Sequence, residues 1–80
     1  MNYYVYALKS LKDGRIYIGI SENVEKRLEQ HNGRKTKSTK GYAPWEIIFT
    51  RKANDRKHAR ELEKYYKSGS GKEKLKKLVP

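Results

Sequence analysis

Tyr6, Tyr17, Arg27 and Glu63, with His31 four residues beyond the arginine, are the side chains here whose types could do chemistry together. The chemistry would be hydrolysis of a phosphodiester with one divalent metal. That reaction needs an activated water, positive charge on the phosphoryl oxygens and help for the leaving oxygen. Arginine suits the phosphate because its planar fork makes charge-assisted, often bidentate hydrogen bonds. Tyrosine serves as a base only where a nearby cation or a metal-bound water lowers its pKa. One carboxylate on a rigid helix can anchor a magnesium ion that keeps most of its waters and also meets a substrate phosphate. The sequence shows no His-rich or multi-carboxylate cluster, so a two-metal mechanism is not expected. Each residue also has a plainer reading. The tyrosines could be core, Arg27 a solvated cation, His31 a structural histidine, and Glu63 a partner for Lys64 or Lys67.

The overall charge narrows the class of partner. Among 80 residues, 20 Lys and Arg outnumber 9 Asp and Glu, for a formal charge of +11. Such an excess attracts polyanions and makes binding sensitive to salt, so nucleic acid is the leading partner, DNA first with RNA left open. No long apolar helix or lipidation signal points to a membrane. The opening Met1-Asn2-Tyr3-Tyr4 has neither a charged nor a long apolar segment of a secretory signal, so the cytoplasm is the default compartment. The absence of cysteine excludes disulfides and thiolate metal sites. A basic structural or ribosome-associated protein would share this charge, and composition alone reaches no further than a basic nucleic-acid binder.

The elements that must position these residues form one expected α+β domain over residues 1–80, in the order β-β-α-β-α-α. Seven tyrosines against one phenylalanine mean that tyrosine supplies much of the apolar area while its hydroxyl reaches a polar partner. Residues 3–9 and 15–20 read as strands joined by an Asp13-Gly14 turn. Period two puts Tyr4, Tyr6 and Leu8 on one face and Val5 and Ala7 on the other. Ser21 or Asn23 can cap a helix from Val24 that ends at Gly33, with Val24, Leu28 and His31 facing inward. Arg27 and His31 are neighbours on that helix. Residues 34–40 form a basic loop, and residues 45–50 a third strand. Asp55 can cap a helix over residues 56–67 with Ala59, Leu62 and Tyr66 inward. Ser68-Gly69-Ser70-Gly71 breaks it, and residues 72–78 make a last short helix anchored by Leu75 and Leu78. Arg34, Lys35, Lys37, Lys40, Lys72 and Lys76 are the expected phosphate contacts outside the site.

The joint pattern resembles the GIY-YIG endonuclease superfamily, in particular its small members. The first motif stands as Tyr4-Val5-Tyr6, with tyrosine in the usual glycine position. The second, Tyr17-Ile18-Gly19, follows after ten intervening residues. Arg27-Leu28 and then His31-Asn32 match the family's arginine and downstream histidine. Lys37 to Lys40 leading into Pro44-Trp45, and Ala59 to Lys64 followed by Lys67-Ser68-Gly69-Ser70-Gly71, complete the likeness and place the metal-binding glutamate at Glu63. Glu61 is the competing position, but two residues on a helix differ by roughly 200°, so both cannot face one site. Ile20 stands where some repair nucleases have lysine, and no asparagine follows Asn54 to match the C-terminal one of larger members.

The resemblance implies a three-stranded antiparallel sheet flanked by helices. It also implies a Mg²⁺- or Mn²⁺-dependent endonuclease acting on DNA, with branched or damaged substrates as in repair. Tyr17 would activate the water, Tyr6 would orient the site and Arg27 would stabilise the phosphate. Glu63 would hold the ion, and His31 would hydrogen-bond or relay a proton. Targeting would come from a protein partner, from a second copy or from DNA shape. The alternative is a non-catalytic module that keeps the fold and its basic surface.

Overall fold

The computed structural model describes residues 2–33, 37 and 39–77. Two strands, β1 (Tyr3–Ser10) and β2 (Ile16–Ser21), form a hairpin, followed by α1 (Val24–Asn32), a 3-10 turn (Lys40–Tyr42), β3 (Trp45–Ala53), α2 (Arg56–Lys67) and α3 (Gly69–Lys76). The sheet is antiparallel with β1 in the centre, in the order β2-β1-β3. This is the expected α+β arrangement and element order.

Local chemistry accounts for most of the boundaries. At the hairpin, Gly14 takes φ of 81° and its N–H reaches the Ser10 carbonyl at 2.9 Å. A left-handed residue is what such a turn requires, and glycine adopts it without steric cost. The buried Ser10 hydroxyl accepts from the N–H groups of Lys12 and Asp13 and donates to the Tyr42 carbonyl at 2.5 Å. It thereby ties the turn to the chain entering β3. Asn23 caps α1 by accepting from the Lys26 N–H, and Asp55 caps α2 through the His58 N–H.

The two faces of the sheet carry separate cores. Val5, Ala7 and Ile18 pack with Ala53, with Ala59 and Tyr66 of α2 and with Leu75 of α3. Tyr6 and Leu8 pack on the other face with Trp45 and Ala43, and with Val24 and Leu28 of α1. Helices α1 and α2 therefore lie on opposite faces. A bulge in β3 serves both cores: Leu8 pairs with Ile47 but Ala7 pairs with Phe49, leaving Ile48 as the extra residue. Strict alternation would keep Trp45, Ile47 and Phe49 together, whereas the bulge turns Phe49 to the core beneath α2 and α3, with its ring 4.9 Å from that of Tyr66.

Two expected boundaries are corrected. The third strand runs to Ala53 rather than residue 50, because β1 continues to pair through Tyr3 and Ala53 and carries the exposed Arg51 and Lys52 with it. The last helix starts at Gly69, before residue 72, so the Ser-Gly segment is helix rather than break. Ser68 both ends α2, through its N–H to the Tyr65 carbonyl, and caps α3 by accepting from the Gly71 N–H. A side chain at Gly71 would overlap the backbone of Tyr65 and Tyr66, so this glycine is what lets α3 fold back on α2. Leu78 lies outside the described residues. No described helix is long and apolar enough to cross a membrane.

Candidate active site

Pairing register builds the site from β1 and β2. Tyr6 lies opposite Gly19, and Leu8 opposite Tyr17. A Cβ at Gly19 would overlap the Tyr6 hydroxyl and ring. Glycine there lets the Tyr6 ring lie across the neighbouring strand. The ring is 1% exposed and sits 6.3 Å from that of Tyr17.

Helix α1 supplies the charge and the imidazole. The Arg27 guanidinium lies within electrostatic reach of the hydroxyls of Tyr6 and Tyr17, and its Nη1 donates to Gln30 Oε1 at 2.8 Å. His31 is fully buried, its ring 4.9 Å from Tyr17 and its Nε2 3.2 Å from the Tyr6 hydroxyl. Its Nδ1 lies 2.8 Å from the hydroxyl of the buried Thr39, whose carbonyl accepts from Trp45 Nε1 at 3.1 Å. With His31 neutral, one ring nitrogen donates and the other accepts, so the imidazole links the Tyr6 and Thr39 hydroxyls in one hydrogen-bonded chain.

The titration behaviour agrees with that assignment. Burial raises the Tyr6 pKa above its ordinary value, outweighing the lowering by Arg27, so Tyr6 keeps its proton at neutral pH. Burial first and the Arg27 charge second lower the pKa of His31, keeping it neutral. A histidine depressed in the folded state binds fewer protons than the unfolded chain once pH falls below the unfolded value of about 6.5, so folding stability drops there. Tyr6 works at the other end, where stability is lost as pH rises through its elevated pKa. We expect urea midpoints to fall between pH 6.5 and 5, and this slope to shrink in His31→Gln. An equal acid slope in that variant would contradict the assignment.

Glu63 is placed differently from the other four. It sits on α2, across the sheet from α1, and lines a cleft at the end of β2 with Tyr3, Ile20, Ser21, Glu22, Arg56 and Arg60. Its carboxylate lies 3.5 Å from Lys67 Nζ, and its charge contributes to raising the Tyr6 pKa, so it is within electrostatic reach of the tyrosine across the β2 edge. Glu61 is exposed and does not line this cleft. Tyr6, Tyr17 and His31 thus come together as one group of tilted ring contacts joined by the Tyr6–His31 hydrogen bond, with Arg27 beside it, and Glu63 approaches it from the other layer.

The expected phosphate contacts divide. Lys37 and Lys40 are exposed, while Arg34 and Lys35 lie outside the described residues. Lys72 and Lys76 line a second cleft with Asp13, Gly14, Arg15 and Ile16, at the hairpin turn. The sequence reading missed Thr39 and the role of Asn32, whose side-chain amide brackets the Trp45 backbone at 2.5 and 3.0 Å. No local pattern marks either, since both act on residues brought close by a loop.

This fold, with an arginine beside tyrosines of adjacent strands, defines a known class of protein. The chain belongs to the GIY-YIG family, whose catalytic domain is matched by residues 2–77. Within that family it is 35% identical over 79 residues to a UPF0213 protein of Photorhabdus laumondii, covering 98% of this chain and 76% of that one. The solution structure of a UPF0213 protein from Bacillus halodurans superposes with a TM-score of 0.58 at 34% identity, covering 99% of this chain and 86% of that one. The human structure-specific endonuclease subunit SLX1 is 38% identical over 51 residues, a match that covers 59% of this chain and 18% of SLX1.

Proposed function

We propose that this protein is a divalent-metal-dependent endonuclease that hydrolyses phosphodiester bonds in DNA. The observation that carries the reading is the pairing of the Tyr6 and Tyr17 rings beside Arg27 and His31, with the Glu63 carboxylate within electrostatic reach across the edge of β2. In this reading the two tyrosines divide the work. Tyr6 keeps its proton and holds the site together through its hydrogen bond with His31. Tyr17 is half-buried and orients the water as the base, while the Arg27 charge beside it favours negative charge on the phosphoryl group.

The donor set suits a hard cation. Glu63, Glu22 and Ser21 offer oxygen atoms around one cleft, and among the described residues no cluster of three or more His, Cys, Asp or Glu could enclose a metal. So few carboxylates fit a single Mg²⁺ or Mn²⁺ that keeps most of its waters. Glu63 would hold it, and the bound ion would supply charge for the departing 3′ oxygen. Branched or damaged DNA is the finer substrate reading, supported by the partial match to SLX1. A partner protein for targeting and a cytoplasmic location complete the proposal. The pairing of Glu63 with Lys67 favours a second reading, a basic module that binds nucleic acid without cutting it.

Cleavage of a plasmid and a branched oligonucleotide with Mg²⁺, Mn²⁺ or EDTA separates the two. We expect metal-dependent nicking that Glu63→Ala lowers by at least about 100-fold. Binding without cutting in either metal would leave the second reading.

A further inference from the structure

The cleft that holds Glu63 also holds two arginines that neither the fold nor the proposed hydrolysis uses. Arg56 and Arg60 are exposed on α2 and line it together with Glu22, Ser21 and Glu63. Among the described residues neither arginine pairs with a carboxylate, although two carboxylates line the same cleft. On an α-helix, residues 56, 60 and 63 fall within an arc of roughly 60°, so the two guanidinium groups and the carboxylate share one stripe.

This placement is unfavourable for the isolated protein. Like charges at i and i+4 repel each other. The first turn of α2 has no acidic residue beyond the Asp55 N-cap and carries Arg56 and Lys57, which adds positive charge to the positive end of the helix dipole. An anion held between the arginines would relieve both terms. Arginine at two consecutive turns offers the planar fork that fits phosphate.

We propose that Arg56 and Arg60 form a clamp for backbone phosphates of DNA next to the phosphate that is cut. The inference rests on the nuclease reading for what lies at Glu63, and it adds how the strand is held beside it. Along the helix axis, Arg60 lies about 4.5 Å and Arg56 about 10.5 Å from Glu63. These separations fit successive backbone phosphates on one side of the scissile one. The strand would therefore run along α2 toward its N-terminus, past the end of β2. Contacts of this kind set register and orientation without reading sequence.

The test measures binding of a short fluorescent DNA duplex with a single-stranded flap, in EDTA so that nothing is cut, over a series of salt concentrations. Wild type is compared with Arg56→Gln/Arg60→Gln and with Arg51→Gln/Lys52→Gln, a pair of the same charge on the exposed part of β3. We expect the slope of log affinity against log salt to fall by about 2 in the clamp variant, since each phosphate no longer neutralised removes about 0.9 from it. The β3 pair should change it by less than about 0.5. Unchanged circular dichroism and thermal unfolding would show that the clamp variant is folded. An unaltered slope, or an equal loss in the β3 pair, overturns the clamp. Cleavage assays with Mg²⁺ keep the two ideas apart. A wild type that binds through the clamp but never cuts sinks the nuclease reading alone. A wild type that cuts while the clamp variant keeps its slope sinks the clamp alone.

Discussion

Gly19→Ala is expected to destabilise the protein by about 3 kcal/mol and to reduce cleavage by at least about 100-fold. The added Cβ would occupy the space of the Tyr6 hydroxyl and ring. Tyr6 cannot simply swing away, because it is 1% exposed and hydrogen-bonded to His31. Either β2 separates from β1 or the ring leaves its place, and the second outcome dismantles the site. A chain of 80 residues has a total stability of only about 4–12 kcal/mol. The melting temperature should therefore drop by roughly 15 °C. Gly41→Ala is the control, since a Cβ there meets nothing within 4 Å. A double-mutant cycle sharpens the result: after Tyr6→Leu has cleared the space, Gly19→Ala should cost less than about 1 kcal/mol. Additive losses, or a Gly19→Ala protein as stable as the Gly41→Ala one, would show that the ring does not depend on this glycine.

The glycine illustrates what could be read from the sequence. Turns and caps are local, so Asp13-Gly14, Asn23 and Asp55 announce the ends of their elements, and the strands follow from their tyrosine and β-branched residues. The bulge at Ile48 is not local. It arises because one strand must feed two cores, and no pattern within residues 45–53 reveals that demand. The start of α3 was hidden for another reason: a Ser-Gly-Ser-Gly run reads as a break by propensity, whereas the close approach of Gly71 to α2 requires it inside a helix. In the site, residue types were legible and their relations were not. Tyr6 and Tyr17 look alike in sequence, and only burial separates a tyrosine that keeps its proton from one placed beside the proposed water. Thr39 reaches His31 through the loop closed between α1 and β3. Arg56 and Arg60 are two cations among 20, and only the cleft they share with Glu63 distinguishes them.

Arg27 should be the residue whose loss costs the most activity. Its guanidinium has five N–H donors. One serves Gln30, and the guanidinium lies within electrostatic reach of the Tyr6 and Tyr17 hydroxyls. In the proposed reaction the same side chain would present charge to the substrate, and its partial burial would strengthen that effect by lowering the local dielectric. Arg27→Ala is expected to lower kcat about 1,000-fold. DNA affinity should fall by only about tenfold, because most of the +11 charge remains. Arg27→Lys keeps the charge but is a point donor, unable to offer a planar fork to a phosphate. It should recover no more than about tenfold of the lost rate. Steady-state cleavage with Mg²⁺, run beside binding in EDTA, separates the two effects. If Arg27→Lys cut at nearly the wild-type rate, charge alone would suffice and the role of the fork would be wrong. If Arg27→Ala lost binding and rate in equal proportion, Arg27 would act in the ground state rather than on the charge that develops as the phosphodiester breaks.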